Sequence, residues 1–540
     1  MKKQGIVVLL AAATLVVSVA MKKGSAKPDK YAESITANDL RKHLTILASD
    51  EYEGRETGEK GQKLAAEYIS GFFGSIGIPA QADGSWYQQV NLVKISGGTS
   101  QFIACDKNAV CVEFDRDRYF YASSTQGVKI SASEYVFVGY GIDDPKYSDY
   151  SLHDSTYYMN KVLIMLDGEP VNNGTYTISG TAKPSKWTTQ RRAKLNAAKR
   201  FNAQALLIVP VDFARTRELA KHSIEGYSLV LDEPVKAVPD ADGPTPVIYV
   251  QDSLANTLFA QHHGRTMEKY INFIADHRRN INTTGKPENV VLSSSVSLTI
   301  TRKEEKLVTE NVLGFVEGTD LKNEIIVVTA HYDHLGKHDG VVYNGADDDG
   351  SGTVAVMELA EAFMKAKQDG SGPRRSMLFM TVSGEEKGLL GSAWYTRHPV
   401  YPLEKTMCDL NIDMIGRADE EHRSDSNFVY VIGADRISPD LKKSIESANK
   451  KYCQLKLDYR FDDENDPNMF YYRSDHYNFA KNGIPVAFFF NGVHADYHKE
   501  TDEVSKINFN LMQKRARLVF YTAWDLANRN KPLARKAVKK

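Results

Sequence analysis

The stretch "NEIIVVTAHYD" (residues 323–333) contains the pattern that decides the fold of this 540-residue chain. The apolar residues from Ile325 to Ala330 are nearly continuous, which is typical of a strand covered on both faces of a parallel sheet. Polar side chains follow at once, beginning with His331. The stretch therefore predicts a buried strand whose carboxyl end carries side chains suited to chemistry.

Further apolar runs continue this pattern along the chain. They are "SMLFMTV" (376–382), "CDLNIDMI" (408–415), "NFVYVIG" (427–433) and "PVAFFF" (485–490). Before the first of them comes "SGTVAVMELAEAFMKAKQ" (351–368), whose few polar residues recur at helical spacing. Alternating buried strands and amphipathic helices predict an α/β three-layer sandwich with a mostly parallel central sheet. Ligands bind such sheets beyond the carboxyl ends of the strands.

Carboxylates and imidazoles follow these strands in succession. The residues are His331, Asp333, Asp347, Asp348, Asp349, Glu385, Glu386, Asp413, His494, Asp496 and His498. Each one alone has an ordinary structural explanation, such as a helix cap or a loop hydrogen bond. Together, so many acids at one sheet edge would repel each other unless a cation lay among them. Carboxylate and imidazole without thiolate favour zinc, with manganese or cobalt as substitutes, and there are enough ligands for a pair of ions.

The adjacent acids Glu385 and Glu386 are both explained by such a site. A hydrolytic metal centre needs one carboxylate on the metal and another that takes a proton from water. His331 and Asp333 lie two apart on an extended segment, so they face the same side, and Asp333 can accept a hydrogen bond from the imidazole. The alternative, a solvent-exposed acidic turn at "EEKG", leaves the other clusters unexplained.

The chain divides into segments of different character. Residues 1–22 form a predicted signal peptide, residues 30–120 and 266–532 form the two parts of one domain, and residues 533–540 form a short basic tail. Residues 121–265 have short strands and a cationic helix of their own but none of the polar clusters, so we expect an inserted α/β domain.

Bulk properties exclude some classes of function. A formal net charge of −1 gives no basic surface for nucleic acid. Two lysines followed by an apolar run and small residues in 1–20 predict export through a signal peptide, to a periplasm or outside the cell, with an uncleaved membrane anchor as the alternative. After signal cleavage we expect no stable membrane insertion, because the chain has no further long apolar stretch. In an exported protein Cys105 and Cys111 could close a small disulfide loop.

Several motifs, in this order, resemble peptidase family M28, especially secreted bacterial di-zinc aminopeptidases with an inserted protease-associated (PA) domain. The motifs are "TAHYDHLG", "NGADDDGSG", "SGEEKGLLGS", "NIDMIGR", "RSDHYNFAKNGIP" and "DYHKETDE". The resemblance implies a zinc-peptidase fold, peptide substrates and two Zn²⁺ ions per chain. It also implies that residues 121–265 are a PA-like domain and that a metal-held hydroxide removes N-terminal residues from peptides.

The resemblance also implies a role for each motif residue. His331 and Asp413 would bind one zinc, Glu386 and His498 the other, and Asp348 would bridge both. Glu385 would be the general base and Asp333 the hydrogen-bond partner of His331.

Two assignments stay open in the motifs, and one backbone feature is implied. Either Tyr471 or Tyr472 would donate a hydrogen bond to the oxyanion, and His494 is a rival to His498 on residue type alone. The resemblance further implies a cis peptide bond after Asp348.

Three alternatives remain at this stage. One is a carboxypeptidase or deacylase of the M20 kind, disfavoured because its inserted domain would follow the acidic pair. Another is a single-zinc glutaminyl cyclase, disfavoured because His331 and Asp413 are both retained. The third is a non-catalytic, receptor-like binding protein, disfavoured because the predicted ligands and base are all present.

Overall fold

A computed structural model describes residues 28–536 except 82, 107, 124, 146, 151–154, 234–244, 264–289 and 293–294. The predicted signal peptide (1–22) and the end of the basic tail (537–540) lie outside the described residues. Within the described part of the chain, no helix combines the length and the apolar character needed to cross a membrane.

The described chain forms two compact units. One comprises the chain up to Gln89 and from Glu310 onward, and the other is Val90–Thr309. The chain passes between them within two long strands, Tyr87–Cys105 and Ser295–Val316. The second unit therefore extends beyond the predicted insert on both sides, because parts of these strands pair with strands of that unit.

The unit that contains His331 is built on a mixed sheet with a parallel centre. The parallel strands Arg375–Val382, Leu321–His331, Thr406–Ile412 and Val486–Phe490 lie side by side in that order. On one side the sheet continues antiparallel through Ser295–Val316, and on the other antiparallel through Phe428–Ile432 and then parallel through Lys456–Asp458. The predicted α/β class with a mostly parallel central sheet is confirmed.

Helices cover both faces of this sheet. Along the central strand, Ile326 and Val328 point into one core and Ile325 and Val327 into another, as expected when successive side chains alternate between faces. This gives the three predicted layers. The helices of this unit are Asp29–Ala32, Ala37–Leu47, Lys60–Ser75, Gly352–Gln368, Leu390–Arg397, Pro439–Ala448, His476–Ala480 and Phe509–Asn528.

The helix Gly352–Gln368 lies directly after the "DDDGS" loop. Nearly all of its first eleven residues are buried, in agreement with its narrow polar stripe. It is followed by Gly370, whose positive φ of 69° allows the chain to turn back and the N–H of Ser371 to donate a hydrogen bond to Ala366 O. Because it packs against the His331 strand, it holds the preceding acidic loop at the sheet edge.

The second unit has its own sheet with a parallel centre. Its strands follow the order Val290–Leu292, Tyr135–Phe137, Val162–Leu166, Ala205–Val209, Val247–Val250 and Tyr119–Tyr121. Further strands are Cys111–Phe114, Val128–Ala132 and Tyr227–Leu231, and the longer helices are Arg191–Arg200, Phe213–Leu219 and Asp252–His263. Cys105 and Cys111 form the predicted disulfide. The identification of this unit as a PA domain stays a prediction.

Candidate metal centre

The predicted site residues meet at one edge of the parallel sheet. His331 ends its strand, Glu385 and Glu386 follow Arg375–Val382, and Asp413 follows Thr406–Ile412 directly. Because these strands are parallel neighbours, their carboxyl ends, and the polar residues that follow them, lie together.

The acidic loop Ala346–Ser351 adds a further carboxylate to this edge. Its peptide bond Asp348–Asp349 is cis, as the motif resemblance implies. Asp502 accepts hydrogen bonds from the backbone N–H groups of Asp347 (3.0 Å) and Asp348 (3.1 Å). Asp349 accepts hydrogen bonds from Gly352 N–H (2.8 Å) and from the N–H of Met414 (3.0 Å), directly after Asp413, so the loop is fixed on both sides.

Asp348 lies between two groups of ligands. Its Oδ1 is 3.2 Å from His331 Nε2, and its Oδ2 is 3.1 Å from His498 Nε2. On the first side, His331 Nε2 is also 3.7 Å from Asp413 Oδ1. On the second side, His498 Nε2 is 3.2 Å from Glu386 Oε2. The carboxylate of Asp348 is therefore close to imidazoles of both groups.

The spacing of these atoms suits metal ions. Ligand atoms that surround a tetrahedral zinc ion at about 2.0–2.1 Å lie about 3.3 Å from each other. The distances around Asp348 run from 3.1 to 3.7 Å. In addition, Asp348 Oδ2 and Glu386 Oε1 are buried without a hydrogen-bond partner among the described residues, although imidazole nitrogens approach them closely. The donor atoms therefore converge on common points in a way that fits bound cations.

The opposite charges of the acids and imidazoles in the cluster stabilise each other when no metal is bound. Burial acts to raise the pKa of Asp348, but the imidazoles of His331 and His498 lower it well below its usual range. Burial and the Asp348 carboxylate likewise oppose ionisation of Glu386, and His334 and His498 lower its pKa to about 2. Burial lowers the pKa of His498, but Asp348 and Glu386 outweigh it and raise the pKa to about 10.

Glu385 differs from its neighbour Glu386. Burial raises its pKa well above that of an ordinary glutamate; His331 acts in the opposite direction, and Glu386 and Asp413 add to the rise. Its carboxylate lies 4.0 Å from His331 Nε2, and its backbone N–H donates to Asp333 Oδ1 (3.2 Å). Glu385 therefore borders the cluster with a carboxyl group whose affinity for protons is increased.

Asp333 supports His331 through a different atom from the predicted one. His331 Nδ1 lies 3.0 Å from the backbone carbonyl of Asp333, whereas the carboxylate is 3.9 Å away. The carboxylate instead accepts hydrogen bonds from the Thr57 hydroxyl (2.7 Å) and from Glu385 N–H. Asp333 thereby links His331 to the turn that carries Glu385.

The structure separates the residues that the motifs left open. Tyr471 is buried under the guanidinium of Arg436, 3.8 Å from its ring centroid, and neither it nor Tyr472 lines the pocket at the cluster. His494 Nε2 faces Asp347 Oδ2 at 3.2 Å, whereas His498 faces Asp348 and Glu386.

An open pocket, or cavity, lies over the cluster. One wall is apolar and consists of Met414, Phe470, Phe488, Phe490 and Val493. The remaining lining residues are His331, Asp348, Glu385, Asp413, Arg473, Tyr497 and His498. The apolar wall can contact an apolar side chain, and the acidic end of the cavity offers partners for a cation or an amine.

Three residues of this region are missing from the sequence-based predictions. His334 is buried with Nδ1 at 2.8 Å from Glu386 Oε1, and Tyr497 and Arg473 line the cavity. His334 lies three residues after His331, and Tyr497 directly precedes His498, so proximity to predicted ligands was the available signal. Residue type alone does not distinguish these side chains from ordinary loop residues.

Comparison with known proteins supports the motif assignment. Residues 311–523 match the sequence model of peptidase family M28. Leucine aminopeptidase 1 of Arthroderma gypseum is 28% identical over 211 residues, which cover 38% of this chain and 55% of that protein. Aminopeptidase YwaD of Bacillus subtilis is 27% identical over 232 residues, which cover 41% of this chain and 46% of that protein. The chain thus spans about half the length of these curated relatives.

A solved structure matches almost the whole chain. It is an aminopeptidase from Aneurinibacillus sp. strain AM-1, with a TM-score of 0.52, 16% identity, and coverage of 95% of this chain and 99% of that one. At this identity the match shows a common fold. Together, the sequence model over residues 311–523 and this shared fold confirm that the chain resembles peptidase family M28.

Proposed function

We propose that the protein is a di-zinc aminopeptidase that removes N-terminal residues from peptides. The observation that carries this proposal is the position of Asp348 between two acid–imidazole groups, with Glu385 beside them. The names of the relatives, which include leucine aminopeptidase, support the same activity.

The ligand assignment follows the motif resemblance, and the distances are compatible with it. His331 and Asp413 would hold one zinc, Glu386 and His498 would hold the other, and Asp348 would be shared between them. His334, whose Nδ1 is 2.8 Å from Glu386 Oε1, orients that carboxylate and is the alternative imidazole ligand. When bound, a zinc pair polarises the scissile carbonyl and lowers the pKa of a water molecule.

Glu385 supplies the proton transfer. It borders the cluster without being needed as a ligand, and its raised pKa favours accepting a proton from water and passing it to the leaving amine. Tyr497 lines the same cavity, and burial raises the pKa of its hydroxyl, so this group stays protonated and donates a hydrogen bond to the developing oxyanion. We assign this donor role to Tyr497 in place of Tyr471.

The cavity also accounts for the choice of an N-terminal residue. A free α-amine pairs with the acidic end, where Glu385 and Asp413 lie, and an apolar side chain packs on Phe488 and Phe490. A blocked N-terminus loses the charge that these acids attract.

A substrate panel tests the proposal. The zinc-loaded protein should hydrolyse leucine amide and leucine dipeptides and should leave N-acetyl-leucine amide intact. Cleavage of the acetylated compound instead would favour a deacylase or carboxypeptidase of the M20 kind. Cyclisation of an N-terminal glutamine without hydrolysis would favour a glutaminyl cyclase. No turnover of any of these compounds would favour a non-catalytic, receptor-like binding protein.

We further propose that the chain is exported, to a periplasm or the extracellular space. The basis is the N-terminal pattern of two lysines, an apolar run and small residues within 1–20. N-terminal sequencing of the native protein should find a start shortly after residue 20; an intact Met1 would contradict signal cleavage.

A further inference from the structure

An arginine in the cavity wall has no acidic partner among the described residues. Arg473 lines the cavity beside the metal-binding cluster and is exposed to solvent. Its Nη2 donates to the Tyr497 hydroxyl at 3.3 Å, and its guanidinium lies 4.9 Å from the ring centroid of Phe470. None of the described residues brings a carboxylate within ion-pair distance of it.

Two other arginines of this unit pair with aspartates, in contrast to Arg473. Arg436 Nε lies 2.7 Å from Asp462 Oδ1, and Arg417 Nη2 lies 2.9 Å from Asp496 Oδ2. A planar guanidinium presents several N–H donors that match a carboxylate. In Arg473 most of these donors remain free for a ligand that enters the cavity.

The position of Arg473 identifies which part of a substrate it meets. Arg473 Nη2 lies 3.3 Å from the Tyr497 hydroxyl, the group that we assign to the scissile carbonyl. One residue of extended chain spans about 3.3–3.6 Å. A carboxylate on the residue that follows the scissile bond is therefore within reach of the guanidinium.

We propose that Arg473 binds a carboxylate on the leaving residue and makes the enzyme prefer substrates that carry one. This inference rests on the proposed aminopeptidase function. The carboxylate has two possible sources: the C-terminus of a dipeptide, or the side chain of Asp or Glu at the second position of a longer peptide. Both present the same planar anion to the guanidinium.

Paired substrates separate the two sources. Leu-Gly compared with Leu-Gly-amide tests the C-terminal carboxylate, and Leu-Glu-amide compared with Leu-Gln-amide tests the side chain. For the zinc-loaded wild type we expect kcat/KM to be about tenfold higher for the carboxylate member of at least one pair, the order of a charge-assisted hydrogen bond.

Variants connect the preference to Arg473. Arg473→Gln should reduce the ratio of kcat/KM within the responding pair to about one, and Arg473→Lys should keep part of it because lysine retains the charge. Arg423→Gln is the matched control, since Arg423 is exposed, pairs with Glu420 and does not line the cavity. A ratio within one pair cancels any general loss of folding or activity.

The outcomes distinguish the two proposals. Hydrolysis of all four substrates with ratios of one in the wild type, or a preference that persists in Arg473→Gln, would overturn the role of Arg473 and leave the aminopeptidase intact. Failure to hydrolyse any of them would overturn both.

Discussion

Two acid–imidazole groups in the same unit behave in opposite ways. At the strand ends, His498 Nε2 lies 3.2 Å from Glu386 Oε2. In the helical layer, His43 Nε2 lies 3.5 Å from Glu358 Oε1, and its Nδ1 is 2.7 Å from the Tyr68 hydroxyl. At the strand ends the pKa of Glu386 is lowered to about 2, whereas burial raises the pKa of Glu358 to about 8.

The difference lies in the number of opposing charges. Glu386 faces both His334 and His498, and the imidazole of His498 faces two carboxylates. Glu358 has a single imidazole, whose own pKa burial lowers. The isolated Glu358–His43 pair is therefore neutral near pH 7, whereas the acids and imidazoles that converge at the strand ends stay charged. The convergence of several acids and imidazoles, and not the burial of one acid, therefore distinguishes the proposed metal centre.

The largest expected effect comes from removing the proton acceptor while keeping the ligands. Glu385→Gln should lower kcat for leucine amide about 10³-fold, the order of general-base catalysis, because the amide cannot accept the proton. Its zinc content, measured by elemental mass spectrometry, should equal that of the wild type. Loss of zinc in this variant would mean that Glu385 is a ligand.

Removing a ligand should act on metal binding instead. Glu386→Gln should weaken zinc binding more than about a hundredfold, more than is typical for a residue outside the ligand set. Zinc at a thousandfold excess over Kd stabilises a protein by about 4 kcal/mol, so the rise in Tm on adding zinc should largely disappear. Glu358→Gln is the matched control: it should keep the wild-type response to zinc, and an equal loss would contradict the contrast between the two groups.

The neutral pair predicts a pH dependence of stability. The pKa of Glu358 rises from 4.5 unfolded to about 8 folded, so the folded state binds more protons between these values. Wild-type stability should therefore fall as pH rises from about 5 to 8, and Glu358→Gln should lack this part of the fall. The difference in unfolding free energy between them should grow by about 3 kcal/mol over that range.

Urea unfolding of both proteins at pH 5 and pH 8 measures this difference. His43 and the metal ligands titrate in both proteins, so their contributions largely cancel. A difference that is independent of pH would show that Glu358 is ionised throughout.

The smallest expected effect comes from removing the hydrogen-bond partner of His43. Tyr68→Phe removes the hydroxyl 2.7 Å from His43 Nδ1 and should lower the free energy of unfolding by about 1 kcal/mol, with no change in zinc content. Chemical unfolding with and without zinc checks both parts. A change in zinc content would mean that the two groups are coupled.

Much of the fold was predictable because strands buried on both faces are nearly continuous apolar runs, as in "IIVVTA" before His331. The strand-end rule then placed the acids together. The limits of the second unit were not predictable, because two strands, Tyr87–Cys105 and Ser295–Val316, each begin in one unit and end in the other.

At the site, contacts between segments distant in sequence could not be predicted from the sequence. His334 contacts Glu386, and the Thr57 hydroxyl donates a hydrogen bond to the carboxylate of Asp333. No local sequence pattern predicts either contact. The placement of Tyr471 under Arg436 likewise depends on a contact between separate loops.

The zinc stoichiometry of the purified chain tests the central claim most directly. Elemental mass spectrometry after loading with zinc and removing the excess should find two zinc ions per chain, and Asp348→Ala should reduce the content below that of the wild type because it removes the shared ligand. One tightly held zinc in the wild type would contradict the bridged pair and favour a single-zinc cyclase-like site. No zinc would mean that the acids and imidazoles at the strand ends are not a metal centre.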